Sequence, residues 1–213
     1  MKDQRGFSLV DMLVGTAIAV VVLTMAIMMA RDLERAYAAQ MDDSGAREEA
    51  QYAAEWIEQM LRSAGSNPYT IGTSVCPVAG TLFLPIRMDP NLNGVNDDIR
   101  INADVNPPNG RLGGAVGACT ESNEDVTIAF DAQASTITFR DNNTGGGQSL
   151  PMTDTLITNL LFTYLDSNRV ATTNPNTVAF VRVSVTAQSR TRDPRTRLFP
   201  NYTVTSEVRV RAR

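Results

Sequence analysis

The chain has 213 residues, a net charge of −4, two cysteines and no histidine. That length suits one domain plus an anchor. Without histidine there is no His-ligated metal and no Ser-His-Asp or Cys-His nucleophile system. Two cysteines are too few for a structural zinc site. The acidic balance gives no electrostatic reason to expect nucleic acid as a partner.

The chain opens with the short segment "MKDQRG", which carries Lys2 and Arg5. An apolar run follows from Leu9 to Ala30, 22 residues interrupted by a single charge, Asp11. A membrane helix needs about 20 such residues, whereas a cleavable secretory core is shorter, about 7–15 residues, and ends at a small-residue site. No such site follows cleanly, and "MMARDLERAYAAQ" continues as a helix into water. Basic residues stay on the cytoplasmic side, so the C-terminal body is expected to be exported from an inner-membrane anchor. An oxidising exterior favours a disulfide between Cys76 and Cys119, with two free thiols as the alternative.

Asp11 is costly where it stands. A carboxylate inside a membrane helix costs about 2.5–3.5 kcal/mol even on the lenient insertion scale. Cleavage after Gly6 would expose an α-amine on Phe7, one helical turn before Asp11, on this chain or on a neighbouring copy. Snorkelling of Asp11 to the interface is the simpler alternative.

"RGFSLVDMLV" resembles the class III signal of type IV pilins and type II secretion pseudopilins. In that family a short basic leader ends in Gly, and a membrane prepilin peptidase cuts after it. The new N-terminal residue, usually Phe, is N-methylated. A carboxylate follows four residues on, leading into a long apolar helix. Gly6, Phe7 and Asp11 match these positions, with Asp in place of the usual Glu. The resemblance implies removal of residues 1–6, N-methylation of Phe7 and an assembly role for Asp11.

Residues 7–30 are then expected to be the transmembrane and assembly helix, and 31–65 its soluble continuation. Leu33, Tyr37 and Met41, then Tyr52, Trp56 and Met60, recur at i+4, with Ala53, Ile57, Leu61 and Ala64 in the adjacent stripe. The Trp56 stripe is expected to pack on a sheet. "DDSG" at 42–45 interrupts the pattern and marks a place for a kink or melted turn. Gly65 suits a left-handed C-cap, and Pro68 blocks continuation.

Residues 66–124 are rich in Asn, Pro and Gly, hold both cysteines and read as a variable loop region. Residues 125–213 read as strands. "DVTIAFD" and "STITFR" form a hairpin around "DAQA", and "LITNLLFTYLD", "TVAFVRVSVTAQS" and "YTVTSEVRVRAR" each carry period-2 stretches. The expected class is α+β: a long N-terminal helix packed on a C-terminal antiparallel sheet, with a loop-rich, disulfide-stapled insert. "EWIEQMLRSAG", "MDPNLNGVNDDIRINADVN" and "NLLFTYLD" resemble PilW-type minor pilins. That resemblance implies a scarce subunit that primes a pilus with other minor pilins, the major pilin and often a large tip adhesin.

"DPNLNGVND" at 89–97 fits the opening of a calcium loop. Asp89, Asn91 and Asn93 supply side-chain oxygens, Gly94 the turn, and the Val95 carbonyl and Asp97 the next ligand spacings. Arg100 stands where the bidentate Glu belongs, and Asp98 is the nearest carboxylate to replace it. A plain Asn-Gly turn with solvated acids is the alternative. Eight arginines fall in the last 32 residues, with Arg209, Arg211 and Arg213 alternating along one strand. Without interleaved aromatics they read as a solvated or partner-facing surface rather than a nucleic-acid site. The carboxylate pairs Asp97–Asp98 and Glu48–Glu49 are only sequence neighbours, so no catalytic role is expected. The readings are a minor pilin first, then a type II secretion pseudopilin of the J type, then an anchored, exported binding module that never polymerises.

Overall fold

The computed structural model describes residues 9–74, 76, 80–115, 118–144, 147–193 and 195–211. A single helix, α1, runs from Leu9 to Ser63, about 80 Å at 1.5 Å per residue. It stays helical through 42–45, so no turn is melted there. The carboxylates of Asp42 and Asp43 are not spent on breaking the helix. They accept hydrogen bonds from the hydroxyls of Thr191 and Tyr202. The helix ends as its sequence predicts. Gly65 takes a left-handed φ of 75°, and its N–H donates to the Asn102 carbonyl at 2.9 Å. A Cβ there would lie 2.7 Å from the Arg211 carbonyl oxygen.

Two antiparallel sheets and the C-terminal part of α1 share one core. The first has five strands in the order β3-β4-β7-β8-β9: Ile86–Met88, Asp98–Asn102, Asp125–Asp131, Thr136–Asp141 and Leu150–Pro151. The second has three, in the order β10-β11-β12: Ile157–Leu165, Phe180–Gln188 and Asn201–Arg209. Two short pairs complete the chain: β1 (Thr73–Ser74) with β2 (Thr81–Leu82), and β5 (Gly114–Ala115) with β6 (Ala118–Cys119). The hairpin around "DAQA" and the last three strands fall where period-2 patterning places them. The segment 66–124 departs from a plain loop. Its β3 and β4 belong to the main sheet, with Ile99 opposite Ile128 and Ile101 opposite Val126.

Period-2 alternation explains the second sheet. Leu160, Phe162 and Tyr164 lie beside Val185, Val183 and Val181, and all six are buried. The opposite face is a polar ladder. Ser184 bonds Thr205 at 3.0 Å, Thr186 bonds Thr203 at 2.9 Å, and Arg182 donates to Glu207 at 2.9 Å.

Helix α1 lies on β11 and β12 through alanines. Ala46, Ala50, Ala53, Ala54, Ile57, Leu61 and Ala64 are buried. The aromatic stripe packs as expected only at Trp56 and Met60, which lie half-buried against the core. Trp56 is half-buried and meets Phe139 edge-on with ring centroids 5.6 Å apart, while Tyr52, Leu33, Tyr37 and Met41 are exposed. Small side chains let the helix axis approach the sheet, which pushes the bulky stripe to the edge.

Cys76 and Cys119 form a disulfide with Cα atoms 5.6 Å apart. The bridge spans 43 residues, worth ~4 kcal/mol in the chain-entropy account. Buried carboxylates organise the surrounding loops. Glu124, fully buried, accepts the N–H groups of Val105, Asn106 and Gly113 at 3.0, 2.9 and 2.7 Å. Burial pushes its carboxyl above the usual range despite those three donors. Asp104 accepts from Asn109 and Gly110, both at 2.9 Å. Gly113 sits at φ 84° with its Cα against the bridge; a Cβ there would fall 2.6 Å from the Cys76 Cβ.

Candidate functional site

Two features carry candidate sites. The first is the N-terminal part of α1. Every residue from Leu9 to Ala38 is exposed, and the first fully buried one is Ala46. Among the described residues this is the one helix long and apolar enough to cross a membrane. Its apolar part, Leu9–Ala30, is about 33 Å long, against ~30 Å of bilayer hydrocarbon. Thr16 and Thr24 turn their hydroxyls back onto the Leu13 and Val20 carbonyls at 3.0 and 2.7 Å, so both donors are satisfied within the helix. Asp11 lies in the exposed first turn, at the positive end of the helix dipole. Gly6 and Phe7 lie outside the described residues, as does Arg213. Of the other C-terminal arginines, Arg182 pairs with Glu207, which also takes Arg169 at 3.3 Å, and Arg192 lies over the Phe199 ring at 5.0 Å.

The second is the loop joining β3 to β4. Asp89, Leu92 and Gly94 take left-handed φ values of 45°, 60° and 81°, folding the segment into successive side-chain-capped turns. The Asp89 carboxylate accepts the N–H of Asn93 at 3.0 Å on one oxygen and of Gly94 at 2.8 Å on the other. The Asn91 side-chain oxygen accepts from Asn93 at 2.9 Å, and that of Asn93 accepts from Val95 at 2.7 Å. The Asn93 amide reaches Asp97 at 3.4 Å. The motif residues Asp89, Asn91, Asn93, Val95 and Asp97 are thus drawn into one loop. Among the described residues, however, no group of three or more His, Cys, Asp or Glu side chains stands placed to hold a metal ion.

Arg100, at the position where the calcium pattern needs Glu, pairs with Asp125 instead. Asp98 comes to the loop instead. It is 1% exposed, and one carboxylate oxygen accepts the Asn91 N–H at 3.1 Å while the other has no partner. Burial, then the nearby charges of Asp97 and Asp89, push its carboxyl up to about 6. Burial and the same Asp98 and Asp89 charges also raise the Tyr164 hydroxyl. Asp98 borders a groove of about 300 Å³ with Pro90, Asn91, Thr127, Thr138 and Arg140.

Sequence reasoning located the loop but not the burial of Asp98, nor the clamping roles of Glu124 and Asp104. Only their side-chain type hinted at those roles. Comparison with protein-family models, with curated proteins and with solved structures gave no match.

Proposed function

We propose that this chain is a minor pilin of a type IV pilus, a scarce subunit of a priming complex at the filament tip. The observation that carries the reading is the exposed apolar half of α1, with Asp11 in its first turn, continuous with the helix of an α+β body. The exposed apolar stretch Leu9–Ala30 of this helix needs an apolar environment along its length. A bilayer supplies that before assembly, and a bundle of like helices supplies it within a filament.

In this reading the prepilin peptidase cuts between Gly6 and Phe7, and Phe7 is N-methylated. Asp11 then neutralises a subunit's terminal amine inside the apolar filament core, where an unpaired charge is expensive. The protein waits in the inner membrane with its body outside the cytoplasm. It assembles with other minor pilins and the major pilin, and presents a large tip adhesin. Its work is assembly rather than turnover.

The test is the intact mass and N-terminal peptide of the protein from native membranes and from sheared surface filaments. The expected chain begins at N-methyl-Phe7 and is present in the sheared fraction. The same N-terminus confined to membranes would instead favour a type II secretion pseudopilin. A chain beginning at Met1 would discard both and leave an anchored, exported binding module.

A further inference from the structure

The loop between β3 and β4 concentrates negative charge that the protein does not neutralise. The charges of Asp97 and Asp89 both act on Asp98. Among the described residues no arginine comes within ion-pair distance of any of the three. Arg140 shares the groove with Asp98, and among the described residues no ion pair joins the two. Asp98 also keeps a buried oxygen with no hydrogen-bond partner, an arrangement that costs free energy unless something else satisfies it.

We propose that this loop binds one calcium ion through Asp89, Asn91, Asn93, Asp97 and the Val95 carbonyl, with buried Asp98 as the closing carboxylate in place of the missing Glu.

The chemistry selects the ion. All the donors are oxygens, which suits a hard cation rather than zinc or copper. Five or six of them on a flexible loop suit calcium, whereas magnesium demands a smaller octahedral cage and keeps its water. The existing hydrogen bonds do not block ligation. Each carboxylate or amide oxygen that accepts one N–H retains a second lone pair. Those N–H bonds hold the ligand oxygens of Asp89, Asn91 and Asn93 within one turn before the ion arrives.

The location gives the ion a task. The Asn96 carbonyl accepts the Phe162 N–H of β10 at 2.8 Å, and the Asp97 carbonyl accepts the Phe130 N–H of β7 at 3.1 Å. The Tyr164 hydroxyl reaches the Asp98 carbonyl at 3.4 Å. The loop is therefore tied to both sheets. An ion within it clamps the seam between them, at the opposite end of the fold's logic from the disulfide, which ties only the 66–124 segment. This does not rest on the filament reading: an anchored module that never polymerises would carry the same site.

The experiment is calcium titration of the full chain in detergent, by isothermal calorimetry and by thermal unfolding after chelator treatment. One calcium per chain is expected, with Kd around 10⁻⁴–10⁻³ M as in extracellular modules. About 10 mM calcium should then raise Tm by about 3–11 °C, with little effect from equal magnesium. Asp89→Asn and Asp98→Asn should each abolish the shift. No heat and no shift in the wild-type protein would overturn the proposal. So would an equal response to magnesium, or a shift that survives in both variants. If Asp98→Asn fails to fold, the wild-type titration and Asp89→Asn decide the question.

Discussion

Arg100 on β4 and Asp125 on β7 form a two-pronged ion pair across adjacent strands. The Arg100 Nε donates to Asp125 Oδ1 at 2.6 Å and its Nη2 to Oδ2. Asp125 is 1% exposed and holds one further side-chain donor, the Asn142 amide at 2.8 Å. Removing the arginine leaves a buried carboxylate with most of its compensation gone. Arg100→Ala is expected to cost about 3 kcal/mol, read as a fall in Tm of roughly 6–12 °C. The double variant Arg100→Met/Asp125→Leu should recover much of that loss. A double variant no better than the single one would show that the pair's charge is not what matters.

The alanine stripe of α1 sets how closely the helix meets β11 and β12. Ala50→Leu inserts three heavy atoms where no space is left, at a cost of about 1–3 kcal/mol. Tyr37→Ala, on the exposed continuation of the same helix, should stay within roughly 0.5 kcal/mol of wild type. Thermal unfolding of both in detergent checks the contrast. Equal stability would mean that the helix can lift from the sheet at no cost.

Asp141 at the end of β8 gives the body an acid-sensitive point. Burial raises its carboxyl, but the Thr144 hydroxyl and the N–H groups of Asn123, Asn143 and Thr144 outweigh that and hold it below the usual range. The folded protein therefore binds this proton less readily than the unfolded chain does. The stabilisation is present above the unfolded carboxyl value near 4 and is lost as pH falls through the lowered folded value. Tm measured from about pH 5 downward should decline, and Asp141→Asn should decline less steeply. Parallel curves would remove Asp141 as a cause.

Under the proposed assembly, Asp11 matters in the filament rather than in the fold, since no part of the packed body includes it. Asp11→Ala should leave cleavage between Gly6 and Phe7 intact and the body's Tm unchanged. Recovery in sheared filaments should drop about tenfold or more, reflecting an amine left unpaired in an apolar core. Asp11→Glu should restore it. Wild-type recovery of Asp11→Ala would sink the pairing role.

Sequence by itself determined the elements whose signals are local. The apolar length of Leu9–Ala30, Gly65 past the helix end, the period-2 runs of β10–β12 and the hairpin at 132–135 all act through neighbours a few residues away. Their chemistry needs no knowledge of the rest of the chain. The two cysteines were legible as a pair because nothing else in the described chain competes for them.

Tertiary structure decided what depends on partners far along the chain. It chose the alanine stripe over the aromatic one, because close approach to a sheet is a property of two surfaces. It enrolled β4, a five-residue run inside a turn-rich segment, because β7 lay ready to pair with it. It also sent Arg100 to Asp125 and buried Asp98 beside the loop it serves. Burial, and hence the cost of an unsatisfied charge, is set by what packs over a residue, and spacing along one chain does not contain that information.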